Sequence, residues 1–225
     1  MSIRSFRAIA LLACATLAGC GDGSGLLVTA GSGDVATVRF VNATASPLDL
    51  MVNGTVSSPN VVPGAGVACF DVADPSVPGL TVRQTGTTTD LGGFTPFFSS
   101  GGRYTVVAFP GPSGFIQFVS VPNAFIPITG RSALRIFHGS SGLGAVDVHV
   151  TAPGATFGTP NATSLGFGAA SGSFDVSAGT QQVRLVTSGT TSVVFDAGNR
   201  VLEAGKSYTL VVSIATAAIL VPDCI

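Results

Sequence analysis

The only histidines of this chain, His138 and His149, stand eleven positions apart with Asp147 between them. Imidazoles near a carboxylate are material for a metal site or a proton relay, but a metal centre needs three or four converging ligands. His138 and His149 would have to meet Asp147 across a hairpin to begin one. Ser140 and Ser141 follow His138, yet the chain has no G-x-S-x-G elbow, no H-E-x-x-H and no phosphate-cradling glycine pattern. A glycosidase needs two well-placed carboxylates, whereas the aspartates here fall mostly where strands should end or turn. These residues point away from catalysis, from a bound metal and from a cofactor. Phe137 is placed on an outward strand face, so Phe137, His138 and His149 are read as a possible binding surface. An outward aromatic there would stack on sugar rings or on a partner protein; packing between the two halves of the chain is the alternative.

Sulfur chemistry divides four cysteines, Cys14, Cys20, Cys69 and Cys224. Cys20 closes the run Leu17-Ala18-Gly19-Cys20. Before it come a positive start, Arg4 and Arg7, and an apolar stretch shorter than the roughly 20 residues that cross a bilayer. The arrangement resembles the signal of bacterial lipoproteins. That resemblance implies removal of residues 1–19 and a diacylglycerol thioether on Cys20, which would then meet membrane lipid. Two or three acyl chains on one residue hold stably, each buried CH₂ contributing about 0.8 kcal/mol. Gly21, not aspartate, directly follows Cys20, and this leans the resemblance toward the outer membrane. Residues 20–34, rich in Gly and Ser, read as a flexible tether. Cys69 and Cys224 remain, in a compartment that permits disulfides. They are expected to pair, two free thiols being the alternative.

Charged residues are only 9% of the chain, against about 25% in a typical soluble domain. Without Arg4 and Arg7, eight basic residues face eleven acidic ones, so no basic patch is available for nucleic acid. A mean hydropathy of +0.57 calls for a large buried core, a partly apolar surface, or both.

The elements that position these residues come in two copies. Val38-Arg39-Phe40-Val41-Asn42 is echoed by Leu134-Arg135-Ile136-Phe137-His138, and Leu48-Asp49-Leu50-Met51-Val52 by Val146-Asp147-Val148-His149-Val150. The only tyrosines, Tyr104 and Tyr208, fall in a third matching pair of segments. The order is the same in both copies. Short β-branched and aromatic runs, cut every 8–12 residues or so by Gly, Pro, Asn and Ser, predict a sandwich or barrel in each. Alternation places Val38, Phe40, Leu48, Leu50 and Val52 inward, with Arg39 and Asp49 outward. Arg39 with Asp49, and Arg135 with Asp147, are therefore expected as cross-strand pairs on neighbouring strands. Asn53-Gly54 reads as a hairpin turn. Of the fifteen phenylalanines, Phe94, Phe97 and Phe98 cluster beside Pro96 and Phe115, Phe118 and Phe125 follow; most of the fifteen are expected in cores.

Units of the form VRVxHASP, VDVYVNG and AGxYTVxV are typical of the bacterial envelope family called domain of unknown function 4397, which this chain resembles over residues 35–220. Asn42 departs from the histidine of that pattern, and the middle around residues 69–78 is irregular. The resemblance implies tandem β-sandwiches on secreted or lipidated proteins and supplies no activity. The expected architecture is all-β: a signal peptide (1–19), a tether (20–34) and two tandem immunoglobulin-like or transthyretin-like antiparallel β-sandwich units (35–129 and 130–225). The expected role is non-enzymatic binding or scaffolding in the bacterial envelope, lipid-anchored at the outer membrane, with an envelope protein or polysaccharide as partner and no nucleic acid. A carbohydrate-binding module for cell-envelope or exported polysaccharide is the alternative, and an envelope hydrolase the third reading.

Overall fold

Runs such as Val38 to Asn42 cannot bury their apolar side chains as isolated strands, and they pair instead into sheets with one apolar face. The computed structural model describes residues 35–213 and 217–224, and these form sixteen strands in four four-stranded sheets. The first half contains β1 (Val35–Asn42), β2 (Leu48–Val52), β3 (Thr55–Val61), β4 (Phe70–Ala73), β5 (Leu80–Gln84), β6 (Asp90–Phe94), β7 (Arg103–Pro110) and β8 (Ile116–Pro122). The second contains β9 (Arg131–His138), β10 (Val146–Thr151), β11 (Ala162–Leu165), β12 (Phe174–Ser177), β13 (Gly179–Thr187), β14 (Val193–Leu202), β15 (Ser207–Ser213) and β16 (Ala217–Pro222). Sheet orders β4-β1-β7-β8 and β3-β2-β5-β6 recur as β12-β9-β15-β16 and β11-β10-β13-β14. The expected all-β pair of sandwiches is therefore present, and the repeat extends to register: Val38 lies opposite Tyr104, and Leu134 opposite Tyr208.

Those two pairings, β1 with β7 and β9 with β15, are parallel, so one sheet of each sandwich is mixed, not purely antiparallel. The chain leaves β1, builds the other sheet and returns as β7 in the same direction, which a crossover permits and a hairpin does not. A second correction follows from the same crossover. β1 and β2 lie in different sheets, so neither Arg39–Asp49 nor Arg135–Asp147 is a cross-strand pair. Alternation marks which face a side chain takes but not which strand lies beside it. The faces themselves are as expected: Val38, Phe40, Leu48 and Leu50 fill one sandwich core, and Leu134, Ile136, Val146 and Val148 the other. Asn53 (φ 49°) and Gly54 (φ 80°) make the β2–β3 turn.

A third apolar layer lies between the two sandwiches. Val41, Val107 and Phe109, on the outer face of β1 and β7, pack against Phe137, Val211 and Val221, on the outer face of β9, β15 and β16. The Phe109 and Phe137 rings meet edge to face at 4.9 Å. Gly66 permits close approach here: a Cβ at that position would stand 2.7 Å from Val221 Cγ1. Towards one end the layer turns polar. Thr209 Oγ1 donates to Asp223 Oδ1 at 2.8 Å. Asn123 occupies the matching place in the first repeat and, with its amide turned to suit its neighbours, accepts from Thr105 Oγ1 and from Cys224 N, both at 3.1 Å. Cys69 and Cys224 are joined in a disulfide, Cα to Cα 6.1 Å, across 155 residues of sequence. The bridge ties the segment that follows β16 in the second repeat to the first.

Two outcomes test this clamp. Phe137→Ala should cost about 3–5 kcal/mol in denaturant unfolding, the range for a buried aromatic, and not the near-zero of a surface ring. Reducing the disulfide, or Cys69→Ser with Cys224→Ser, should cost on the order of 5 kcal/mol for a loop of this length in the chain-entropy model.

Candidate functional site

The motif residues that could have done chemistry are held by the fold. Asp147 accepts from Ser164 N at 2.8 Å, Ser188 Oγ at 2.9 Å and Gly189 N at 2.8 Å. Asp49 does the same in the first repeat, accepting from Asn60 N at 2.7 Å and Thr85 Oγ1 at 2.8 Å. Asn60 and Ser164 both have positive φ, 49° and 51°, so each aspartate secures an unfavourable backbone turn on the adjoining strand. Backbone N–H donors, from Asn60 to Asp49 and from Gly189 and Ser164 to Asp147, hold both carboxyls below the ordinary aspartate value.

His138 is fully buried: Nε2 bonds Gly144 O at 2.8 Å and Nδ1 accepts from Ser140 N at 3.3 Å. Asn42, its counterpart, braces the matching loop, donating to Ser46 O and accepting from Thr44 N. An amide can stand for the imidazole because both span one donor and one acceptor. His149 is buried against Phe157, ring centroids 4.7 Å apart, and the Arg184 guanidinium lies over the Phe157 ring at 4.3 Å. Burial pushes the His149 pKa down, Arg184 adding to that and Asp147 opposing it. Phe137, His138 and His149 are thus not a surface. Phe137 does point out of its own sandwich, and the first repeat covers it. Arg39 donates to Val67 O and to Cys69 Sγ, and Arg135 to Ser173 Oγ. Cys20 lies outside the described residues.

Two clefts remain. One, about 630 Å³, opens beside the disulfide and is lined by Arg39, Glu203, Lys206, Tyr208 and Asp223 among others. Its walls belong to the clamp: Tyr208 Oη receives Glu203 N, as Tyr104 Oη receives Ser99 N in the first repeat.

The other, about 500 Å³, lies at the loop end of the first sandwich, where the β1–β2 arch, the β5–β6 hairpin and the β7–β8 hairpin converge. Phe115 stands on its lip, 75% exposed. The β7–β8 turn holds that ring outward: Gly111 N donates to Phe115 O at 2.8 Å, and Gly114 takes a φ of 81°. Pro110, Leu91 and Ile116 form the apolar wall, and Thr44, Ser46, Gln84 and Asp90 the polar one. Asp90 is ion-paired with Arg83 through Oδ1. Among the described residues Asp90 Oδ2, the Gln84 amide and the Ser46 hydroxyl take no hydrogen bond. The sequence placed Phe115 among core candidates; no periodic signal separates a hairpin-tip ring from the strand it introduces. Phe97 is likewise exposed, at 73%.

The family model of a domain of unknown function (DUF4397) matches residues 36–149 and again 132–222. Among solved structures the chain is similar to CBMbc (family CBM26) from Eubacterium rectale Amy13K, crystallised in complex with maltoheptaose. Identity is 12%, the TM-score 0.25, and the match covers 85% of this chain and 98% of that one, a likeness too slight to bear on fold or ligand. No curated protein matches.

The charged groups predict how stability responds to acid. Asp49 and Asp147 have lowered pKa values, so their contribution is present above the unfolded value of 3.8 and lost as pH falls through their folded values. Asp223 runs the other way. Burial raises its pKa, outweighing Thr209, Arg135 and Arg39, so its contribution is full below 3.8 and lost as pH rises through its folded value. Melting curves from pH 7 to 3 should show Asp147→Asn less stable at pH 7 with a shallower acid decline. Asp223→Asn should match or exceed the native chain at pH 7 and lose that advantage towards pH 3.

Proposed function

The chain belongs to the DUF4397 family, carrying its domain twice in tandem, and on that premise we propose that it is a lipid-anchored binding module of the bacterial envelope. It offers a rigid loop-end cleft to an envelope protein or polysaccharide. The single observation that carries the reading is the Phe115 cleft. An aromatic three-quarters exposed on the lip of a cleft, beside polar groups that bond nothing inside the protein, is a contact surface left open by the fold. Binding is favoured over catalysis because His138 and the two motif carboxylates are tied into structural bonds, and His149 is buried against Phe157. The lipobox at residues 17–20 supports attachment through Cys20, with Gly21 favouring the outer membrane and residues 20–34 serving as tether.

The anchor and the cleft are tested separately. Cys20→Ser should move the protein from the membrane fraction to the soluble one and abolish labelling by a palmitate analogue; a chain that stays membrane-bound and labelled sinks the anchor. A photocrosslinking phenylalanine analogue at position 115, installed in growing cells, should yield a discrete protein or glycan adduct. The same analogue at position 77, where Val77 is 74% exposed, should not. Equal labelling at both positions, or none at 115, removes the cleft from the account.

A further inference from the structure

The geometry points to a neutral saccharide as the ligand of the Phe115 cleft, with the Phe115 ring as stacking platform and Asp90, Gln84 and Ser46 as hydroxyl partners. This deepens the binding reading above and rests on it.

Three features select the class. First, the Phe115 ring is three-quarters exposed beside an apolar wall of Pro110 and Ile116, and an open aromatic ring suits the C–H face of a pyranose. Second, the polar groups opposite it mix acceptor and donor. Asp90 Oδ2 accepts, the Gln84 amide does both and the Ser46 hydroxyl does both, which suits a row of hydroxyls better than a single ion. Third, Asp90 already carries Arg83 as its counter-ion, so the cleft presents no surplus charge to an anionic or cationic ligand. The walls are also set in advance. Asn42 Nδ2 holds Ser46 O at 2.8 Å and Asn42 Oδ1 holds Thr44 Oγ1 at 2.7 Å, while the β7–β8 turn bonds hold Phe115. Preorganised walls reduce the ordering cost that weakens sugar binding. A volume near 500 Å³ in a cleft open to solvent gives room for a sugar ring within a chain.

The test uses the detergent-solubilised full chain in affinity electrophoresis through gels containing a neutral α-glucan, β-glucan or galactomannan, with polygalacturonate as the charged comparison. At least one neutral polymer should retard the protein and polygalacturonate should not. Phe115→Ala should weaken that retardation about tenfold or more, and Asp90→Asn with Gln84→Ala should weaken it too. Phe97→Ala, an exposed ring outside the cleft, should leave it unchanged. Retardation that Phe115→Ala does not alter overturns the site. No retardation by any neutral polymer, with a protein adduct still formed at position 115 in cells, overturns the saccharide and leaves the binding reading standing. Neither retardation nor adduct overturns both.

Discussion

Burial of the outer faces of two sheets against each other is the constraint on which this structure depends. A sandwich normally turns its outer faces to water, and polar residues then occupy them. Here β1, β7, β9, β15 and β16 carry Val41, Val107, Phe109, Phe137, Val211 and Val221 on those faces. Leaving such rows exposed would be costly, at about 1.5–3 kcal/mol for each large side chain. The two repeats therefore complete each other, and the Cys69–Cys224 bridge makes the completion covalent. The low charge content and positive hydropathy reflect this third layer in addition to the two inner cores.

The polar end of that layer shows how duplication was adapted to it. Asn123 and Asp223 hold equivalent places and bond equivalent threonines, Thr105 and Thr209. Arg39 and Arg135, also equivalent, both act electrostatically on Asp223, and burial depresses the pKa of each. One carboxyl thus feels a guanidinium from each repeat, Arg39 across the interface and Arg135 from its own side. Such an arrangement is weak evidence for added stability, because desolvation offsets most of the attraction.

The residues that make the repeat recognisable are those the fold uses. Asp49 and Asp147 secure positive-φ positions, Asn42 and His138 brace the arches between sheets, and Tyr104 and Tyr208 receive an N–H five residues upstream. A motif made of such residues identifies an architecture and is silent about a ligand. Function has to be sought where the repeats differ, on loops carried by a stiff frame. The β7–β8 turn with Phe115 is one such place.

The amino-acid sequence by itself determined the all-β class, the duplication, the inward and outward faces of the strands and the Asn53-Gly54 turn. These are properties of local pattern: period-two alternation and a repeated order of segments. Cys69 and Cys224 are expected to pair, with free thiols as the alternative, and the fold joins them. Only the tertiary structure decided which strands are neighbours, and so dissolved the Arg39–Asp49 and Arg135–Asp147 pairs. It alone buried Phe137, His138 and His149 and left Phe115 in solvent. Alternation says that a side chain leaves its own sheet; whether it then meets water, a second sandwich or a hairpin tip depends on contacts between segments a hundred residues apart, which no local pattern encodes.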